Sequence, residues 1–114
     1  MKRARRLRKG DEFDRAYREG TVLSGPLLVV RVLSNNAGHV RWGFAVGKKM
    51  LPLSVDRNHV RRRLREAADA LELTLAADVV VTARPGASHA SVTQLSAAIM
   101  TALARSSAKQ STPP

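Results

Sequence analysis

Between Arg57 and Arg65 the chain reads Arg-Asn-His-Val-Arg-Arg-Arg-Leu-Arg, which puts Arg57, Arg61, Arg62, Arg63 and Arg65 into one short stretch. Guanidinium groups stay charged at any working pH and pair with phosphate through two parallel N–H donors. Apolar Val60, Leu64, Ala67 and Leu71 recur at helical spacing. At 100° per residue, a stripe centred near Val60 and Leu71 leaves Arg57, Asn58, Arg61, Arg62 and Arg65 on one adjoining arc of about 140°. His59 and Arg63 fall on the other flank. The only nearby acids are Asp56 and Glu66, at the two ends. Solvated helix faces usually mix both signs, so this one points to a polyanion, with nucleic acid the favoured partner. Basic amphipathic helices can also lie on membranes, but this Ala-rich stripe suits a protein core.

Other basic groups lie elsewhere. Lys2, Arg3, Arg5, Arg6, Arg8 and Lys9 form an N-terminal arm anchored by Leu7 alone. Lys48 and Lys49 follow a strand directly. Phe13 and Tyr17 stand four residues apart beside Arg15 and Arg18, so both rings share a helix face. They can serve either as core or as stacking platforms for unpaired bases. Trp42 and Phe44 read as core.

Catalytic chemistry is harder to build. His39, His59 and His89 fall in a turn, on the charged helix and in a loop, without the spacing acid–base cleavage of RNA needs. The carboxylates are scattered, no metal site is expected within the protein, and no Gly-rich phosphate loop is present. Cysteine is absent, which excludes disulfides, thiolate catalysis and cysteine-ligated zinc. The chain reads as a binder of polyanions rather than a catalyst.

The elements that position these groups follow from periodicity. Asp11–Glu19 is predicted as a short helix, with Asp11 and Glu12 at its positive end and Gly20 as its stop. Leu27–Leu33 reads as a buried strand. Val40, Trp42, Phe44 and Val46 alternate with Arg41, Gly43 and Ala45, a second strand expected to form a hairpin with the first. A helix over about Val55–Leu73 and a third strand over Asp78–Ala83 follow. A last helix opens at the capping box Ser91-Val-Thr-Gln94. The order αββαβα makes a single α+β domain over 11–105, with a basic arm at 1–10 and a disordered tail at 106–114.

The 114 residues suffice for one domain. With 20 Lys plus Arg against 9 acids, the net charge of +11 favours a large polyanionic partner. No apolar run approaches the roughly 18 residues of a membrane span. The basic start lacks the hydrophobic stretch of a signal peptide, so a cytoplasmic location is expected.

Three segments together resemble the protein component of bacterial ribonuclease P. They are Leu7-Arg-Lys-Gly-Asp-Glu-Phe13 with Tyr17 and Gly20, Arg41-Trp-Gly-Phe-Ala-Val-Gly-Lys-Lys49, and Arg57-Asn58-His59-Val60-Arg61-Arg62 followed by Leu64-Arg65-Glu66. The resemblance covers about residues 5–105. It implies an αββαβα sandwich with a small central sheet and a left-handed βαβ crossover, similar to a ribosomal-protein fold. It also implies an accessory subunit of an endoribonuclease that removes the 5′ leader from precursor tRNA. Catalysis and the Mg²⁺ ions would reside mainly in an RNA subunit, with the protein lowering the Mg²⁺ requirement. Arg57, Asn58, His59, Arg61, Arg62 and Arg65 would bind that RNA. Phe13, Tyr17, Arg31, Lys48 and Lys49 would hold the single-stranded leader, and Arg3, Arg5, Arg6, Arg8 and Lys9 would add basic contacts. Two departures stand out. His59 replaces the family's usual Arg, a loss Arg63 could offset, and Arg31 stands where some members carry an aromatic ring. A ribosomal or other structural RNA-binding protein, and a self-sufficient nuclease, are the alternatives.

Overall fold

The structure, a computed structural model, describes residues 5–7, 10–71 and 73–110, the last four by backbone alone. The chain runs α1 (Gly10–Glu19), β1 (Thr21–Ser24), β2 (Leu28–Ser34), β3 (Arg41–Ala45), α2 (Ser54–Asp69), β4 (Ala77–Ala83), a 3-10 helix (Pro85–His89) and α3 (Val92–Gln110). The α+β sandwich with a small sheet is as expected.

The sheet order is β1-β2-β4-β3, with β3 parallel to β4 and the other pairs antiparallel. The expected hairpin between the second and third strands therefore does not form. Strand β4 lies between them, and its composition explains why. Val79, Val80 and Val81 are buried on both faces of the sheet, so β4 needs a central place. The true hairpin joins β2 to β1, a four-residue strand missed because it is so short. Gly25 closes that turn by donating its N–H to Leu28 O at 2.9 Å.

One face of the sheet carries α2 and α3. Val60, Leu64, Leu95 and Ile99 pack there with Val30, Val32, Val79, Val81 and Trp42. Trp42 is buried, and Phe44, half-buried, stacks parallel to it at 6.2 Å, so both rings are core as read. Ser96 ties the two helices by donating to Ala67 O at 2.9 Å. The opposite face carries α1 over a smaller cluster of Leu7, Ala16, Val80 and Phe13.

Two helix ends differ from the sequence reading. Helix α2 stops at Asp69, and Leu71, Leu73 and Leu75 pack against the main core from the following segment. Helix α3 starts at its capping box: Gln94 N–H donates to Ser91 Oγ at 3.1 Å and Ser91 N–H to Gln94 Oε1 at 2.8 Å. It runs to Gln110, through residues expected to be a disordered tail, with Ser106 buried. Residues 111–114 lie outside the described residues.

Candidate nucleic-acid interface

Helix α2 positions its cations in two ways. Buried Val60, Leu64, Ala67 and Ala68 fix the helix to the core, and this holds the opposite arc rigid. Asn58, His59, Arg62 and Arg65 are exposed. Arg57 donates through Nη1 to Leu51 O at 2.9 Å and Pro52 O at 2.8 Å, clamping the loop before the helix. Arg61 reaches Val46 O and Asn58 Oδ1, each at 3.4 Å. No ion pair with a carboxylate engages any of the five arginines among the described residues.

Arg63 behaves differently. It donates through Nη2 to Ser88 O at 3.0 Å, and its Nε is buried without a partner. This side chain braces the 3-10 helix, so it is poorly placed to replace the arginine missing at His59. Lys48 and Lys49 are exposed in the turn after β3, near the start of α2, where Arg61 meets Val46 O.

The second surface lies on the α1 face of the sheet. Helix α1 covers one part of that face. Glu12 pairs with Arg41 of β3 at 2.7 Å, the Phe13 ring lies against Gly43, and Ala16 packs on Val80 of β4. A Cβ on Gly43 would stand 2.6 Å from Phe13 Cε1 and 3.0 Å from Leu7 Cδ1, so only glycine admits these two side chains. Phe13 is thus half-buried and partly core, whereas Tyr17 is 42% exposed. Arg31, on β2, places its guanidinium carbon 4.5 Å from the centre of the Tyr17 ring, a cation–π contact.

Beyond Tyr17 and Arg31 the sheet face is not covered by α1. Val29, Thr82 and Ala45 follow one another across β2, β4 and β3 in register and form its floor. Thr82 Oγ1 and Arg31 Nε are buried there without partners. This floor ends at the last residue of β3, beside the turn that Arg61 touches. The arginine arc and the aromatic cleft therefore meet at one end of the sheet, although they belong to opposite layers.

Arg5 and Arg6 of the arm are exposed, and Leu7 N–H donates to Trp42 O at 2.8 Å, laying the arm along the edge of β3. Arg3, Arg8 and Lys9 lie outside the described residues. Sequence reasoning missed the polar tie beneath α1. Arg41 donates to both carboxylate oxygens of buried Asp78, at 2.7 and 2.9 Å, and Asn35 Nδ2 donates to the same carboxylate at 2.8 Å. The hydrogen bonds to Asp78, with the charges of Asp78 and Glu12, raise the Arg41 pKa above its ordinary value despite opposing desolvation. The available signal was an acid at the start of an otherwise apolar strand. Among the described residues no three His, Asp or Glu side chains converge on a possible metal position. None of their helices is long and apolar enough to cross a membrane.

Comparison with known proteins agrees with this geometry. A family model described as Ribonuclease P matches residues 1–107. The chain is similar to the ribonuclease P protein component of Chloroflexus aurantiacus, 39% identical over 98 residues, covering 83% of this chain and 72% of that one. It is 34% identical over 86 residues to the Legionella pneumophila protein of the same description, covering 75% of each chain. The fold superposes on an RNase P protein of Staphylococcus aureus with a TM-score of 0.75 at 29% identity, over 89% of this chain and 94% of that one. The Thermotoga maritima protein gives a TM-score of 0.76 at 24% identity, covering 88% and 96%, a likeness of fold. An arginine arc free of ion pairs, an aromatic cleft and this similarity along nearly the whole chain agree: the chain belongs to the ribonuclease P protein family.

Proposed function

We propose that this protein acts as the accessory subunit that joins a catalytic RNA to precursor tRNA, while the RNA carries out removal of the 5′ leader. The observation that carries this is the set of five α2 arginines without acidic partners. Arg57 and Arg61 have their guanidiniums oriented by backbone carbonyls, and Arg62, Arg65 and Asn58 remain exposed, a surface that fits RNA phosphates. The leader strand is assigned to the cleft at Tyr17 and Arg31, with Lys48 and Lys49 at its end. A base can stack on the exposed ring while a guanidinium or ammonium group neutralises the adjoining phosphate.

Neutralising phosphates on two polyanions at once lowers their repulsion, so less Mg²⁺ is needed to bring them together. Mg²⁺ supplies Lewis-acid chemistry and is assigned to the RNA partner. The described acidic and histidine residues of this chain do not form a cluster suited to hold it.

Leader release from labelled precursor tRNA at low Mg²⁺ tests the proposal, with protein alone, RNA subunit alone, and both. Release by the mixture alone is expected. Release by the protein alone would show an active site within this chain. No gain on adding protein would leave an RNA-binding domain with another partner, to be identified from the RNA that co-purifies.

A further inference from the structure

Arg84 and Arg105 belong to neither surface described above. They lie 21 residues apart in sequence (105 less 84), after β4 and late in α3. Both reach the turn between β1 and β2. Arg84 donates through Nη1 to Gly25 O and Arg105 through Nη1 to Ser24 O, each at 3.2 Å. Anchoring on carbonyls of consecutive residues draws two exposed guanidiniums to one point, and neither pairs with a carboxylate. Like charges held together cost free energy unless an anion relieves them. The remaining N–H donors of each fork suit a phosphate.

Beside this pair is a cavity of about 290 Å³ between the β1–β2 hairpin and α3. Its walls are mainly apolar and include Leu23, Leu27, Leu28, Ala98 and Ala102, with Arg105 at its margin. Two charges next to an apolar recess suit a ligand with an anionic part and a flat, weakly polar part. A nucleotide has both.

We infer that Arg84 and Arg105 form a second single-stranded RNA site, holding one phosphate while an unpaired base enters the cavity under the β1–β2 hairpin. The site lies on the α3 side of the sheet, away from Tyr17. A strand leaving the cleft would reach it by passing over the end of the sheet, where Thr82 leads through Ala83 to Arg84. The inference rests on the RNA-binding reading above, but it requires neither an RNA subunit nor cleavage.

The test uses the full chain and an unstructured single-stranded RNA decamer. Binding should shift the methyl NMR signals of Leu23, Leu27 and Ala102. The double variant Arg84→Gln/Arg105→Gln should remove those shifts, weaken binding about tenfold, and reduce the salt slope by about 0.7. Ala98→Leu, which fills the cavity without altering charge, should abolish the methyl shifts and leave the salt slope unchanged. Tyr17→Ala should leave these shifts in place. Shifts confined to the cleft and α2, or a double variant that binds as wild type at every salt concentration, would overturn the site. If the double variant does not fold, the wild-type methyl map decides. With assembled holoenzyme, weakening limited to long-leader precursors assigns the nucleotide to the leader, and weakening of RNA-subunit binding assigns it to that RNA. Failure of leader release in the holoenzyme would count against the proposed function without altering the decamer result.

Discussion

Arg41 and Asp78 face each other in register on parallel strands β3 and β4, joined by two hydrogen bonds of 2.7 and 2.9 Å. Arg41 also pairs with Glu12 of α1, and Asp78 accepts from Asn35 before β3. One buried carboxylate thus links two strands, a loop and the helix that bounds the cleft. Asp78→Ala leaves the Arg41 guanidinium with only Glu12 and should destabilise the fold by about 3 kcal/mol. Thermal unfolding should show a midpoint lower by roughly 10 °C. An unchanged midpoint would mean that the linkage contributes nothing.

Gly43 admits Phe13 and Leu7 to the sheet. Gly43→Ala should force the Phe13 ring outwards and cost about 2 kcal/mol through overpacking. Its effect on leader binding should exceed its effect on RNA-subunit binding, because α1 moves and α2 does not. Denaturant unfolding together with the two affinities checks both parts.

The arginines of α2 should separate into two groups. Arg62→Gln/Arg65→Gln removes exposed charges with no intramolecular partner, so unfolding should be unchanged within about 0.5 kcal/mol. The salt slope of RNA-subunit binding should fall by roughly 2. Arg63→Gln should do the reverse, costing about 1 kcal/mol of stability through its bond to Ser88 O with little change in slope. Equal slopes in all three proteins would remove the arc from the interface.

At the cleft, Tyr17→Ala should weaken binding of precursor tRNA about tenfold, with mature tRNA barely affected. Tyr17 is largely exposed, so unfolding should hardly change. Equal losses on precursor and mature tRNA would remove the stacking role. Phe13→Ala is a less clean probe, because that ring also packs on Gly43 and Val80.

Breaking the α3 capping box by Ser91→Ala should cost about 1 kcal/mol. RNA binding should be unaffected where the variant is folded. Chemical denaturation and affinity measured on the same preparation check this.

The basic arc on α2 was legible because five charges of one sign repeat around a helical stripe whose apolar members are truly buried. The alternation in β3 likewise put Trp42 and Phe44 on the core side and Arg41, Gly43 and Ala45 on the other. Strand pairing was not legible. Local alternation says which side a residue faces and nothing of which strand lies beside it, and β4 comes between β2 and β3 from far along the chain. Arg63 looked like another phosphate ligand because sequence counts its charge and cannot reveal the carbonyl of Ser88. Phe13 and Tyr17 looked equivalent at four-residue spacing. The gap at Gly43 takes in the first ring, while Arg31 props up the second at the surface.

Strand β4 has a further consequence for synthesis of the protein. Strands β2 and β3 leave the ribosome early, but neither has its long-range neighbour until Ala77–Ala83 has emerged. The sheet therefore closes late, through pairings between distant parts of the chain. Until then the nascent protein carries its basic arm and most of the α2 arginines without the floor that positions Tyr17 or the core that holds α2. Phosphate attraction is available before shape, and the surface becomes selective only once the last strand is inserted.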